Sequence, residues 1–136
     1  MLTSVLVALF TNEATAERIA NWVAEETRPL VSGPWCVTEF ASALALKQRT
    51  SQITSRQCNA ARKVFGQFCE EYLRLLPPDR EVFSQAAHLV RNTKHGLRAG
   101  DALHLALALR VKSEAFFTLD VRLAESAGQS KLPVIH

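Results

Sequence analysis

The sequence has 136 residues and 48% hydrophobic content, enough to bury one core, so we expect a single domain over 1–136. Its net charge of +3 is mild. No apolar run reaches membrane-spanning length and no export-signal pattern is present, so we expect no membrane partner. The three cysteines form no CxxC motif and lie in segments with helical patterning. This suits buried free thiols in a reducing cytoplasm, where we place the protein.

The first half of the chain predicts helices separated by short extended segments. Residues 3–10 are apolar and fit either a strand or a buried helix. An amphipathic helix is expected over about 14–27, a brief strand at 30–31, and a helix from 35 to about 48. Thr54 and Gln57 form a plausible capping box. The long helix that follows them should pack through five apolar positions: Ala61, Val64, Phe65, Phe68 and Tyr72.

The second half continues the alternation. Residues 73–76 fit a strand or a frayed helix end. Helices are predicted over about 79–95, 101–112 and 120–128, with strands at 115–119 and 132–135. The inward positions of the first of these helices should be Val82, Phe83, Ala86, Ala87, Leu89 and Val90. Together the elements predict a three-layer α/β/α fold around a mostly parallel sheet of four to five short strands.

Two windows of the sequence contain basic residues and no acids. The first, between Glu39 and Glu70, contains Lys47, Arg49, Arg56, Arg62 and Lys63. The second, between Glu81 and Asp101, contains Arg91, Lys94, His95 and Arg98. Such windows indicate either solvated helix faces or a surface that contacts phosphates, and the pattern leaves both open.

Three isolated carboxylates lie at the edges of segments that should be buried. Asp101 begins a helix that is otherwise almost wholly apolar, Glu39 is the only charge between Gly33 and Leu46, and Asp120 follows a short apolar strand. A lone acid at a helix start is most simply a capping carboxylate. Three in similar settings indicate convergence at the carboxyl ends of the strands, where parallel sheets bind ligands.

A set of three oxygen ligands without His or Cys at metal spacing favours Mg²⁺ or Mn²⁺ over zinc. Basic surface beside such a site indicates a phosphodiester substrate, because bound cations can activate water and stabilise the leaving oxygen. The sequence has no Gly-rich phosphate loop, which argues against a Rossmann-like nucleotide-binding protein.

Four stretches together resemble a known family over essentially the whole chain: 97–108 (LRAGDALHLALA), 117–120 (FTLD), 38–44 (TEFASAL) and 3–10 (TSVLVALF). They are similar to PIN-domain ribonucleases of the VapC toxin type. The resemblance implies a PIN-like fold and a Mg²⁺- or Mn²⁺-dependent endoribonuclease of a toxin–antitoxin pair. It also implies a VapB-type antitoxin in the active-site groove and a homodimer. Glu39, Asp101 and Asp120 match the family's second, third and fourth acids, and Thr118 its polar residue before the last acid.

The start of the chain departs from the family pattern. Family members usually open with a strand ending in Asp before Thr-Ser or a similar pair, whereas here Met1-Leu2 precede Thr3-Ser4. The first acid is missing, and three carboxylates would leave two divalent cations with a formal +1. The rival hypothesis is therefore a catalytically weakened or silent PIN module that binds RNA or an antitoxin.

Four further side chains are candidates for supporting roles. Thr3 and Ser4 could hold a metal-bound water but cannot replace a carboxylate's charge. Arg98 could pair with a site carboxylate, contact phosphate or be a plain surface residue. We expect His104 to be an imidazole at the edge of the core, bonded to the backbone, rather than a substrate contact or proton donor.

Overall fold

The computed structural model describes residues 2–92 and 96–135, which form helices alternating with very short strands. The helices are α1 (Thr3–Phe10), α2 (Ala16–Glu25), α3 (Trp35–Arg49), α4 (Ser55–Glu71), α5 (Arg80–Asn92), α6 (Ala99–Arg110) and α7 (Val121–Gln129). The strands are β1 (Leu30–Ser32), β2 (Leu73–Leu75), β3 (Phe116–Phe117) and β4 (Val134–Ile135). The predicted α/β class is confirmed.

The strands form two parallel pairs. β1 pairs with β2, with Leu30 opposite Leu73, and β3 pairs with β4, with Phe116 opposite Val134. The parallel pairing and the four short strands agree with the prediction, but the single continuous sheet is not seen within the described residues. Segment 3–10, whose pattern fitted either state, is helix α1 and adds no strand.

Helix α1 lies between the two halves of the core. Val5 and Ala8 pack with one buried cluster, which includes most of α6, while Leu6 and Val7 pack with a second cluster built from α3 and α4. In the second cluster, the rings of Phe40 and Phe65 stack at 3.9 Å. An eight-residue helix that is apolar on nearly every side is stable here because both of its faces are covered.

The long helix α4 begins as predicted, because both hydrogen bonds of the Thr54–Gln57 capping box are present. Its buried stripe is Ala61, Phe65 and Phe68. The expected packing of Val64 and Tyr72 is wrong, since both are exposed. Val64 lies one position to the side of the stripe, and Tyr72 caps the helix with non-helical backbone angles.

Helix α5 buries a narrower face than the pattern predicts. Val82 and Ala86 are buried and Leu89 is partly buried, but Phe83, Ala87 and Val90 are exposed. A single neighbour, α6, accounts for most of the contacts of α5, so residues on the outer side of this helix remain in solvent. Within residues 2–92 and 96–135, no helix is both long and apolar enough to cross a membrane.

Candidate active site

Glu39, in the second turn of α3, is held by side chains from two other helices. Its Oε2 accepts a hydrogen bond from Thr3 Oγ1 of α1 and another, at 2.8 Å, from His104 Nε2 of α6. A carboxylate can only accept, so His104 Nε2 must carry the proton of this bond. Burial raises the pKa of Glu39, but the hydrogen bonds from His104 and Thr3 outweigh it and leave the pKa below its usual value.

His104 is almost completely buried, at 4% exposure. The ring of Trp35 lies against it at 4.8 Å, and Thr3 Oγ1 is 3.3 Å from Nε2. Among the described residues this imidazole has no backbone partner, contrary to expectation, and its Nε2 is bonded to the side chain of Glu39 instead. The sequence held a signal for this contact: His104 lies one turn after Asp101 on the same helix face.

Gly100 allows Glu39 to lie close to the start of α6. A β-carbon built at Gly100 would lie 2.5 Å from Glu39 Oε1, which is closer than any normal contact. The sequence motif contains Gly100 but gives no sign of its contact with Glu39, because that contact joins segments about sixty residues apart. The absent side chain leaves Oε1 directed toward the first turn of α6.

Asp101 is the third residue of α6 rather than its cap. Arg98 occupies the N-cap position without a side-chain cap bond, and among the described residues the carboxylate of Asp101 accepts no hydrogen bond. The simple capping interpretation is therefore wrong for this acid. Burial raises the pKa of Asp101 most, and the negative charge of Asp120 raises it further. His104 lowers this pKa, Glu39 raises it by a smaller amount, and Arg98 lowers it least, so the net shift is upward.

Asp120 does act as a cap. Its Oδ1 accepts the backbone N–H of Leu123 at 3.0 Å and so closes the first turn of α7. Thr118 is fully buried, and its Oγ1 accepts the backbone N–H of Asp120 at 3.0 Å. Thr118 therefore fixes the turn from which Asp120 projects. The capping role does not remove Asp120 from the site, because its charge still acts on Asp101.

The remaining candidates lie at the margin. Ser4 is exposed in the first turn of α1 and, in the part of the chain that is described, makes no side-chain hydrogen bond. Arg98 is exposed, and its effect on the pKa of Asp101 places its charge near that acid. Lys94 and His95 of the second basic window lie outside the described residues.

The structure thus brings Thr3, Glu39 and His104 into direct contact and sets Asp101 and Asp120 close enough to repel each other. Asp101 is half-buried, accepts no hydrogen bond among the described residues and lies beside like charges. Such an acid suits a hard cation, which would neutralise the charges. Nevertheless, a closed group of three or more His, Cys, Asp or Glu ligands is not found among residues 2–92 and 96–135.

Comparison with known families matches the PIN domain model to residues 3–129. The chain belongs to the PIN domain family. PIN domains are a superfamily of nucleases that typically use divalent metals and act on nucleic acid. No curated protein matches this PIN domain closely enough to count as a relative.

Substituting Gly100 by Ala should displace Glu39 without harming the fold. Ala is intrinsically better than Gly in a helix by about 0.5–1 kcal/mol, but here its β-carbon would force Glu39 Oε1 away. We expect the hydrogen bond to His104 to weaken, which should be visible as a shift of the His104 ring resonances in NMR spectra.

Gly66→Ala is the matched control, because a β-carbon at Gly66 in α4 would meet nothing within 4 Å. That variant should be more stable than the parent chain and leave the His104 resonances in place. Unchanged His104 resonances in Gly100→Ala would contradict the steric role assigned to Gly100.

Glu39→Gln and Asp101→Asn should change stability in opposite directions at pH 7. Glu39→Gln should cost about 1 kcal/mol, because it weakens a charge-assisted hydrogen bond to a buried partner. Asp101→Asn should stabilise the protein, because the ionised form of Asp101 is disfavoured in the folded state. Thermal unfolding of the two variants beside the parent chain measures both effects.

The pH dependence follows from the direction of each pKa shift. The lowered pKa of Glu39 stabilises the fold above the unfolded value of about 4.3, and this stabilisation is lost as the pH falls through the folded value. The raised pKa of Asp101 destabilises the fold as the pH rises above about 4. The stability differences between each variant and the parent chain should therefore shrink below about pH 4. If both variants unfolded at lower temperature than the parent chain at pH 7, or both at higher temperature, this account would be refuted.

Proposed function

We propose that this PIN domain is a metal-dependent endoribonuclease, the toxin of a VapBC-type toxin–antitoxin pair. The observation that carries the proposal is the position of Asp101, a half-buried carboxylate whose pKa is raised first by burial and then by the negative charge of Asp120. Such an arrangement is unfavourable unless a cation neutralises it. Glu39, Asp101 and Asp120 would hold Mg²⁺ or Mn²⁺, the ions that oxygen ligands favour.

When bound, the cation supplies positive charge at the phosphate and lowers the pKa of a water, so that the phosphodiester can be hydrolysed. The protein's own side chains prepare that site. His104 and Thr3 fix Oε2 of Glu39, which leaves Oε1 as the oxygen directed toward α6. Thr118 fixes the backbone before Asp120. Pre-orienting these carboxylates reduces the reorganisation that catalysis would otherwise require.

The surface supports RNA as the substrate. Arg49, Arg56, Arg62 and Lys63 are exposed on the end of α3 and on α4, so the first basic window is available to phosphates. Lys47, by contrast, is paired with Glu13 at 2.8 Å. Arg98, exposed at the start of α6, is the basic side chain that we assign to the phosphate nearest the acids.

The proposed toxin function also implies protein partners. We assign the chain a VapB-type antitoxin and a homodimeric state in the cytoplasm, and we treat 1–136 as one domain. Phe83 and Val90 support an interface, because they are exposed two turns apart on α5. Apolar side chains repeated on one outer helix face are typical of a surface that another protein covers.

The decisive test is Asp101→Asn with a fluorogenic single-stranded RNA and Mn²⁺. We expect cleavage to fall by about 100-fold or more, because the central acid of the site is lost. Asp79→Asn is the matched control, since Asp79 pairs with Arg110 on the exposed surface at the start of α5. An Asp101→Asn protein that cuts as fast as the control would disprove the assignment.

One observation favours the second candidate, a silent PIN module. Oε2 of Glu39 is already engaged by Thr3 and His104, and Leu2, at the N-cap of α1, offers no side-chain oxygen. We would compare Mn²⁺ binding by calorimetry, and RNA cleavage, for this chain and for a version with Asp inserted between Leu2 and Thr3. Binding and cleavage by both support the nuclease, whereas activity of the inserted version alone supports the silent form.

A further inference from the structure

Trp35 and Glu39 lie one turn apart on α3, and both contact His104 of α6. Residues four positions apart in a helix share one face, so these two side chains project together from α3. The indole ring of Trp35 lies 4.8 Å from the imidazole ring, with the two planes inclined at 45°, and Oε2 of Glu39 accepts the bond from Nε2. One helix therefore holds the imidazole both through its ring and through Nε2.

The contact between Trp35 and His104 is made by the indole ring and not by its N–H group. Among the described residues, Nε1 of Trp35 has no hydrogen-bond partner. Trp35 is partly buried and packs against the core cluster that includes most of α6. The position of the indole thus depends on packing, and no polar bond of its own draws it away from the imidazole.

Gly33 makes room for the indole just before α3 begins. A β-carbon built at Gly33 would overlap the six-membered ring of Trp35. Gly33 is itself buried, so the ring occupies space that a side chain at this position would need. The indole is therefore in contact with Gly33 as well as with His104, which restricts its position.

The position of the imidazole decides how Glu39 is oriented. His104 and Thr3 hold Oε2, and Oε1 is the oxygen directed toward α6. Hydrogen bonds weaken steeply when they depart from linear geometry, so a rotated imidazole would no longer hold Oε2. The carboxylate could then turn about its own bonds, and Oε1 would lose its direction.

We propose that Trp35 is a positioning residue of the candidate site: its ring fixes the imidazole of His104, and the imidazole orients Glu39 toward the cation. This inference rests on the proposed metal-dependent function. Trp35 lies outside the four stretches that resemble the family, and it has no oxygen to offer a hard cation. It acts only through His104. Loss of a residue that holds a metal ligand in place typically lowers metal affinity about 10- to 100-fold.

The alternative is that Trp35 only fills the core, and Trp22 of α2 provides the matched comparison. Trp22 is also partly buried and packs against the same core cluster, but its ring contact is with Phe117 at 4.6 Å. A core role predicts similar effects when either indole is lost. A positioning role predicts that His104 and Glu39 respond to the loss of Trp35 alone.

The first test measures solvent exchange of the His104 Nε2 proton by NMR, without metal. We expect Trp35→Leu to speed this exchange by about tenfold or more relative to Trp22→Leu, because the imidazole opens locally once its ring contact is lost. Trp35→Phe keeps an aromatic ring beside the imidazole and should restore most of the protection. Thermal unfolding of the same variants separates local opening from a general loss of stability.

Gly33→Ala tests the same contact without removing the indole, because the added β-carbon would displace the ring of Trp35. We expect exchange of the His104 proton to become faster, as in Trp35→Leu. Gly66→Ala is the control, since a β-carbon there meets nothing within 4 Å. If Trp35→Leu fails to fold, Gly33→Ala and Trp35→Phe decide the question.

The second test measures Mn²⁺ affinity by calorimetry. Trp35→Leu should weaken Mn²⁺ binding by about tenfold, the lower end of the range for residues that hold a ligand, and Trp22→Leu should not. With fluorogenic RNA at saturating Mn²⁺, kcat of Trp35→Leu should fall while KM for the RNA stays unchanged. This split is expected because Trp35 acts on the orientation of Glu39 and has no assigned contact with RNA.

The outcomes separate this inference from the proposed function. Equal exchange of the His104 proton in Trp35→Leu and Trp22→Leu would overturn the inference, and so would faster exchange without weaker Mn²⁺ binding. The proposed function stands in both cases if Asp101→Asn still loses Mn²⁺ binding and cleavage. If the parent chain binds no Mn²⁺, the proposed function fails, and the inference fails with it.

Discussion

The hydrogen bond between Glu39 and His104 is the contact on which the candidate site depends. It joins α3 to α6, and the hydrogen bond from Thr3 of α1 reaches the same carboxylate oxygen. Glu39 thus connects Thr3, which is 36 positions away in the sequence, with His104, which is 65 positions away. A buried imidazole at 4% exposure needs such a partner, because an unsatisfied ring nitrogen would be costly. Packing of the three helices and orientation of the acid are therefore one structural arrangement.

The pKa values of two acids in the site, Glu39 and Asp101, are shifted in opposite directions. The pKa of Glu39 is lowered by the groups that hold it, whereas that of Asp101 is raised by burial and by neighbouring acids. One carboxylate is thus stabilised and the other destabilised within the same cluster. Such opposite pKa shifts within one cluster are typical of functional sites. A charge that destabilises the fold is kept there because it serves to bind a ligand.

Much of the architecture could be predicted from local patterns. The Thr54 capping box, the buried helix containing Asp101 and the strand before Asp120 all formed as expected, because their signals lie within a few residues. The wrong predictions concern side chains whose burial depends on whether another helix or strand covers them. Val64 and Phe83 match an apolar helical pattern, but no element covers them. The division of the sheet into two pairs was also beyond local pattern, because strand pairing joins distant segments.

The sequence by itself determined the α/β class and the family resemblance, and it singled out the three candidate acids, since these depend on periodicity and on short motifs. Tertiary structure alone decided what each acid does: Asp120 caps α7, Asp101 accepts no hydrogen bond within the described residues, and Glu39 is bonded to His104. It also decided that Gly100 makes room for Glu39. These roles depend on contacts between residues far apart in the chain, which only the packing of α1, α3 and α6 brings together.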